Sequence, residues 1–593
     1  MKTVKERLVA LRQAMKNKGV SAYIIPGTDP HASEYIAEHW KEREWISGFT
    51  GSAGTAVVLL EDAGLWTDSR YFLQADIQLA ESGIRLFKDG LPETPTINQW
   101  IISCLSKGEK VAINPEMFSV NGYNTALTEF ENADLGLVPC DLIAEVWSEN
   151  RPNLPLETFY AFEEKYAGKS VSEKLAEVRS MMTKHKSDVY VLSSLDDIAW
   201  LFNIRGADVD FNPVVIAYAT ITLHTATLFV ASEKITPELS AYFIQNNISV
   251  SEYTTVLNAL QCISESETVL FDASKMNRAL YDSLPVACKK VSVTSVIAWL
   301  KSMKNEIEIA GVKKAMLIDG VSLVRFFMWL ENAVKTQTIT ECDTMRKLTE
   351  FRAAGENFKG ESFSTIAGYN GNGAIVHYHA TDDACATLAA EGMFLLDSGG
   401  QYLNGTTDIT RTISFGGITA KQRKDYTLVL KGHLAISQAK FPKGTRGSQL
   451  DALARQFLWA DGTTYTHGTG HGVGHFLCVH EGPQNIRLEE NPTTLELGMI
   501  VSNEPGIYRT DEYGIRIENL VTVVPDCTTE FGDFYKFDTL TLFPYDTQLI
   551  DVDLLSESEK EWINSYQSNV FAQLSPMLNA EECAWLKEKC RAL

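Results

Sequence analysis

Apolar residues at Val4, Leu8, Leu11 and Met15, with charged residues between them, predict an amphipathic helix at the start of the chain. The run Ala22 to Ile25 then predicts a strand, after which the chain reaches Asp29 and ISGFTGSAGTAVVLL. The same order returns from Val171: the helix SEKLAEVRSMM, the strand DVYVL, Asp196, and LFNIRGADVDFNPVVIAYA. Leu11 aligns with Val178, Tyr23 with Tyr190 and Asp29 with Asp196, all at an offset of 167, after which the first copy carries an insertion. A duplicated α/β domain is the simplest account. The most hydrophobic stretch, 214 to 231, is interrupted by Thr220, Thr222, His224 and Thr227 and predicts two strands. It falls short of the ~20 apolar residues that span a bilayer.

Pro152 and Pro155, within the polar SENRPNLPLE, mark a boundary between the copies, and a long amphipathic helix begins near KSMKNEIEIAG, 301 to 311. The expected domains are 1–155, 156–303 and 304–593. Near the end, Ser556 with Glu559 and Asn579 with Glu582 fit the capping-box pattern. Trp562, Tyr566, Val570 and Leu574 form an apolar stripe at spacing four, suited to core, a subunit interface or a functional groove.

A length of 593 residues fits two to four domains, and 45% hydrophobic with 22% charged residues is ordinary globular composition. The net charge of −23 repels phosphate backbones and anionic lipid, so neither nucleic acid nor a membrane is an expected partner. The first helix shows no export signal, and ten cysteines without a CxxC resemble the thiols of a reduced compartment. A cytoplasmic location is expected.

The chemistry concentrates late: seven of eleven histidines lie between 377 and 480. In MFLLDSGGQYLNGTTDITRTISF the run Met393 to Leu396 delivers Asp397 to a strand end, and Asn404-Gly405 is a hairpin turn signal with Asp408 on the return strand. Ideal pairing about that turn sets Asp408 opposite Gln401, about 13 Å along the ladder from Asp397. A bulge or register change at Ser398-Gly399-Gly400 is then required to unite the carboxylates. Without other motifs, a polar hairpin with two solvated aspartates fits equally well.

Other motifs are present. IVSNEPGIY places Glu504 after a short apolar run, and GIRIENLVTVV puts Arg516 and Glu518 on one strand face with Ile515 and Ile517 on the other. Between them comes YTHGTGHGVGHFLCVHEGP with His467, His471, His475 and His480. Its glycines do not match a dinucleotide-binding fingerprint but allow close approach of imidazoles and backbone to a small central object. Four carboxylates and one imidazole make a hard, oxygen-rich ligand set suited to Mn²⁺ or similar ions. Two such ions about 3.5 to 4 Å apart share bridging carboxylates and hold one hydroxide, which implies metal-assisted hydrolysis.

Asp397, Asp408 eleven later, His471 in HGTGHGVG, Glu504 in EPG and Glu518 fourteen after that resemble the pita-bread metallopeptidases. WTDSRYFLQA, IAWLFNIRG, HEGP and two creatinase-like N-terminal domains resemble the long, three-domain aminopeptidase P (Xaa-Pro aminopeptidase) family across essentially the whole chain. The resemblance implies two creatinase-like α/β domains followed by a pita-bread catalytic domain, with a helical extension at its end. It also implies a homodimer, two divalent metal ions per chain, Mn²⁺ foremost, and peptide substrates beginning Xaa-Pro. Asp397 would bind one metal, His471 and Glu504 the other, and Asp408 and Glu518 both. Glu504 would also be the general base, and His377 would handle protons at the leaving imino nitrogen. His480 and His467 would line the substrate pocket and orient the scissile carbonyl, and Arg516 would hold a ligand carboxylate.

His475 receives no family role, and His379, His31, His39, His185, His224 and His433 suit ordinary structural places. Asp68, Arg70, Arg205 and Asp208 fit either salt-bridged turns or the substrate end of the site. A prolidase, cutting only Xaa-Pro dipeptides, and a non-catalytic pita-bread binding protein are the alternative functions. The pair of N-terminal domains argues against the first and the full ligand set against the second.

Overall fold

The first helix, Val4–Lys18, starts at a reciprocal capping box between Thr3 and Glu6 and stops at Gly19, whose φ of 69° is left-handed. Leu8, Leu11 and Met15 bury its apolar face. The computed structural model describes residues 2–593. They form two units: residues up to Glu164 with Lys169–Ala298, and Lys165–Gly168 with Trp299–Leu593.

The first unit contains two six-stranded sheets. One runs Arg85–Lys88, Ala63–Thr67, Thr55–Leu59, Ala22–Pro26, Lys110–Ile113 and Gly136–Pro139. The other runs Ser249–Ser251, Ala226–Phe229, Tyr218–Thr222, Val189–Leu192, Thr268–Phe271 and Lys289–Ser292. In each, the strand bearing Tyr23 or Tyr190 pairs antiparallel on one side and parallel on the other, and both outermost pairs are parallel. Identical order and polarity are what duplication of one α/β domain produces. The stretch 214 to 231 contains the two strands expected of it. Among the described residues, no helix is long and apolar enough to cross a membrane.

In the second unit, Asn305 caps the 31-residue helix Glu306–Thr336, which buries Leu323, Phe326, Phe327 and Leu330 in the main core. The helices Glu557–Leu574 and Ala580–Lys589 both open with the expected capping boxes. Tyr566, Val570 and Leu574 are buried in the same core, with Trp562 packed on it, so the terminal stripe is core rather than groove. The second unit also holds a six-stranded sheet: Lys440–Pro442, Gly532–Thr539, Asn519–Thr529, Ile500–Asn503, Gly470–Gly472 and Glu481–Ile486. A three-stranded sheet joins Ile366–Tyr369, Gly392–Ser398 and Ile409–Gly416. With the creatinase-like layers of the first unit, this is the expected combination of α/β and α+β architecture.

Candidate active site

Asp397 lies on Gly392–Ser398, and Asp408 immediately precedes Ile409–Gly416. The turn between them is not Asn404-Gly405: Tyr402 pairs with Gly405 and Gln401 with Thr406, so Leu403 and Asn404 form the two-residue loop. Asp397 faces Thr410 in the same register, with no residue gained or lost between. Asp408, two residues before Thr410, is therefore a diagonal neighbour of Asp397, about 7 to 8 Å away between backbones instead of about 13 Å. No bulge is needed. Gly399 serves close packing, since a Cβ there would lie 2.0 Å from the Thr407 carbonyl oxygen and 2.1 Å from Ser362 Oγ.

His471 sits on Gly470–Gly472, with Ile500–Asn503 on one side and Glu481–Ile486 on the other. Its flanking glycines let that strand press between its neighbours: a Cβ on Gly470 would lie 1.9 Å from the Ser502 carbonyl oxygen, and one on Gly472 2.2 Å from that of Glu481. They make room for backbone, not for a central ligand. The Nδ1 of His471 bonds the Gly472 carbonyl at 2.9 Å, which directs Nε2 to the acids, 3.5 Å from Asp408 Oδ2 and 3.4 Å from Glu504 Oε1. A cation about 2.1 Å from each of two ligands leaves them about 3 to 3.5 Å apart. Asp408, His471 and Glu518 each place a ligand atom within 4.8 Å of the others.

Glu504 follows the strand Ile500–Asn503, and Ser502 Oγ donates to its Oε1 at 3.1 Å. Arg516 and Glu518 do not share a strand, because pairing stops at Arg516 and resumes at Asn519. They still converge: Arg516 Nε donates to Thr410 Oγ1 at 3.2 Å, and that hydroxyl donates to Glu518 Oε2 at 2.8 Å. Arg411 fixes the backbone behind them, donating to the carbonyls of Thr410, Glu518, Phe543 and Pro544, and also to Asn519 and Tyr566.

Four carboxylates thus face one guanidinium and one imidazole. Asp397 Oδ1, Asp408 Oδ1 and Glu518 Oε1 are buried without a hydrogen-bond partner, a cost that ligation of a cation removes. With protein groups alone to balance them, burial and the neighbouring acids lift Glu504 to about 7 and Glu518 well above the usual carboxylate range. Burial also raises Asp397 despite Arg516. Burial opposes a charged His471, but Asp408 and Glu504 outweigh it and carry the imidazole to about 9. The donor set fits divalent cations on both counts, spacing and charge.

The expected histidines surround this cluster at different depths. His480 packs edge-on against His471, ring centroids 4.4 Å apart. His467 Nε2 is 2.8 Å from Tyr508 OH, which accepts from Arg516 Nη1 at 2.7 Å. The buried Arg455–Asp451 pair holds the loop before His471: Arg455 donates to the carbonyls of Tyr465 and His467, and Thr469 Oγ1 donates to Asp451. His377 is half-buried just after the short helix Asn370–Ala374, and the carbonyl before it lies 3.5 Å from Arg516 Nη2.

The profile of metallopeptidase family M24 matches residues 310–525, and that of its C-terminal region matches 533–593. Two creatinase/prolidase N-terminal domain profiles match 7–146 and 150–308. Aminopeptidase P2 of Arabidopsis thaliana is 40% identical, covering 100% of this chain and 89% of its own. A probable Xaa-Pro aminopeptidase P of Sordaria macrospora is 42% identical over 98% of both chains. The chain belongs to the aminopeptidase P branch of metallopeptidase family M24.

A solved member of that branch, the X-prolyl aminopeptidase of Caenorhabditis elegans, superposes with a TM-score of 0.96 at 33% identity over 100% of both chains. It is described as a cytosolic enzyme with a di-nuclear active site. An Xaa-Pro dipeptidase from Bacillus anthracis, 21% identical, covers 64% of this chain and 99% of its own with a TM-score of 0.52, a likeness of fold.

Tyr508, the last residue of IVSNEPGIY, joins the site although the motif gives it no role. Gly506 pairs with Arg516 and Tyr508 with Gly514, so Tyr508 is diagonal to Arg516, and the turn between IYR and YGIR is the signal that could have placed it. The remaining candidates have the following partners. His433 bonds the Asn503 carbonyl and Tyr545 OH; His31 bonds the Ser193 carbonyl and Tyr253 OH; His379 meets Ser364 Oγ. His39 bonds the Pro152 carbonyl, His475 Nε2 bonds that of Tyr166, His185 caps a helix and His224 lies in an exposed turn. Asp68 pairs with Arg70, Asp208 is buried against Lys234, and Arg205 donates to the Ala199 carbonyl.

Proposed function

We propose that this protein is a metal-dependent aminopeptidase that releases the N-terminal residue from peptides with proline second. The cluster of buried acids around His471, three of them with an unpartnered oxygen, carries the hydrolytic reading. Specificity for Xaa-Pro is supported by the names of relatives that align end to end. In this reading Asp397 would hold one ion and His471 and Glu504 the other, with Asp408 and Glu518 available to both. Bound there, two divalent ions supply Lewis acidity that polarises the scissile carbonyl and makes a water acidic enough to attack.

The chain's own groups do the rest. Glu504 accepts the water's proton, its carboxylate held by Ser502. His377 delivers a proton to the leaving imino nitrogen, while His480 and His467 orient the carbonyl in the substrate pocket. Arg516 fixes Asp397 and, through Tyr508, His467. A tertiary Xaa-Pro amide lacks an N–H and has a fixed ring, so a pocket shaped for the ring selects it.

The oxygen-rich donor set supports Mn²⁺ as the ion. A homodimer and a cytoplasmic location complete the reading, the latter supported by the cytosolic description of the C. elegans enzyme. The division at 155/156 and 303/304 also belongs to it, supported by profiles covering 7–146, 150–308 and 310–525.

The test is hydrolysis of an Xaa-Pro-Xaa tripeptide, an Xaa-Pro dipeptide and an Xaa-Ala-Xaa tripeptide by demetallated protein, with and without Mn²⁺. Cleavage of the Xaa-Pro tripeptide that depends on the ion, with little cleavage of the alanine peptide, is expected. Cleavage of the dipeptide alone makes the protein a prolidase, and metal-independent cleavage overturns the reading.

A further inference from the structure

Between Asp397 and Asp408 the chain changes sheets. Gly392–Ser398 pairs with Ile366–Tyr369 and Ile409–Gly416, whereas Gly400–Tyr402 lies between Phe358–Glu361 and Gly405–Thr406 in a second three-stranded sheet. Gly399 is the single residue between the two strands. Each aspartate adjoins this bend. Ser398 follows Asp397, and Thr407, which precedes Asp408, is tied back to Gly400: Thr407 N donates to the Gly400 carbonyl and Gly400 N to Thr407 Oγ1, both at 2.9 Å.

A buried ion pair grips the bend. Asp319, on the helix Glu306–Thr336, and Arg352, on the helix Glu341–Ala353, are 2% and 0% exposed. Arg352 Nε donates to Asp319 Oδ1 at 2.7 Å and Nη2 to Asp319 Oδ2 at 3.2 Å. The same fork reaches the bend, Nη2 donating to Ser398 Oγ at 3.1 Å and Nη1 to the Gly399 carbonyl at 3.3 Å. Asp319 also holds the outgoing strand, accepting from Tyr402 OH at 2.8 Å. Stability alone does not call for charges here, because a well-packed apolar group of the same volume is often as stable as a buried ion pair. What the pair adds is direction: a planar fork meets a carboxylate and two groups of the bend at once, which neither an apolar side chain nor a lysine reproduces.

We propose that Asp319 and Arg352 are positioning residues that hold Asp397 and Asp408 at the spacing that binds divalent ions. This rests on the reading of those two aspartates as ligands. The pair acts through Ser398, next to Asp397, and through Gly399, which adjoins the Gly400–Thr407 pair beside Asp408. A positioning role and a merely structural one move different quantities. Loss of stability alone shifts the urea midpoint and leaves the metal affinity of the folded protein where it was, whereas a displaced ligand lowers that affinity.

The test is calorimetric titration of Mn²⁺ into the demetallated full chain, with urea unfolding of the same metal-free protein. Asp319→Asn combined with Arg352→Met removes both charges together, so no unpaired charge stays buried. Arg352→Lys keeps the charge and loses the fork. In both variants Mn²⁺ affinity should fall by about 10- to 100-fold, as when a group that orients a metal ligand is removed. Parental affinity in either folded variant overturns the proposal, whatever its urea midpoint. Asp408→Asn is titrated alongside. If it binds Mn²⁺ as the parent does, the ligand reading falls and the proposal with it; weakened binding there, with parental binding in the pair variants, overturns the positioning role alone.

Discussion

Arg516 Nη2 lies 2.6 Å from Asp397 Oδ2, while the other oxygen of Asp397 is buried without a hydrogen-bond partner. One guanidinium therefore takes up half of the carboxylate and aims the other half at the cluster. The same guanidinium reaches Thr410, which holds Glu518, and Tyr508, which meets His467. Two acids and a histidine share one anchor.

Arg516→Lys keeps the charge but cannot reach three partners with a fixed fork. Metal affinity and kcat/KM should both fall, by about 10- to 100-fold, the scale of losing a group that orients a ligand. Metal titration followed by calorimetry and turnover of an Xaa-Pro-Xaa peptide measure the two losses. Wild-type values for both would remove Arg516 from the site's support.

Asp408→Asn tests the ligand cluster directly. Asp408 lies 3.5 Å from His471 Nε2 and carries one unpartnered oxygen, so the variant puts a neutral amide where the proposed function needs an anion. The variant should retain fewer ions than the parent and nearly no activity. Elemental analysis alongside turnover decides; two ions per chain with full activity would count against the assignment.

His377→Ala and His480→Ala should keep their metal while kcat/KM drops roughly 10²-fold or more, the scale of a lost proton-transfer or oxyanion-stabilising group. Glu341→Gln should act in the same direction as His377→Ala but less strongly. It leaves the acids and His471 untouched and loosens Tyr378, which adjoins His377. Folded variants that lose metal would move either histidine into the ligand set.

Some of this arrangement is legible in sequence and some is not, for physical reasons. The offset of 167 that pairs Tyr23 with Tyr190 reports a duplicated strand order, because both copies need the same alternation to bury the same faces. The hairpin register escapes local reasoning. Asn404-Gly405 is a strong turn signal, but the loop packs on the long helix: a Cβ on Gly311 would lie 2.5 Å from the Asn404 carbonyl oxygen, and one on Gly405 2.7 Å from Val312. Tertiary packing outweighs the turn preference and slides the loop to Leu403-Asn404, which is what draws Asp408 toward Asp397. The glycines beside His471 mislead in the same way, since they answer to neighbouring strands that the motif does not reveal.

His433 makes the stability of the second unit depend on pH. It is fully buried, with Nδ1 on the Asn503 carbonyl at 3.0 Å and Nε2 on Tyr545 OH at 2.9 Å. Burial, reinforced by Arg411, lowers its pKa from 6.5 to about 3. Between those values the unfolded chain binds a proton that the folded chain excludes, so stability from this residue is present above about pH 6.5 and is lost as pH falls toward 3. From pH 7 to pH 5 the loss is on the order of 2 kcal/mol, because 1.5 pH units below the unfolded value count at about 1.4 kcal/mol each. His433→Gln cannot take up that proton in either state. Its stability at pH 7 should be lower than the parent's, since the replacement breaks a fitted pair of hydrogen bonds. Its decline from pH 7 to pH 5 should be shallower by about the same 2 kcal/mol. Urea unfolding of both proteins at the two pH values gives the comparison, and parallel declines would show that His433 is not the group responsible.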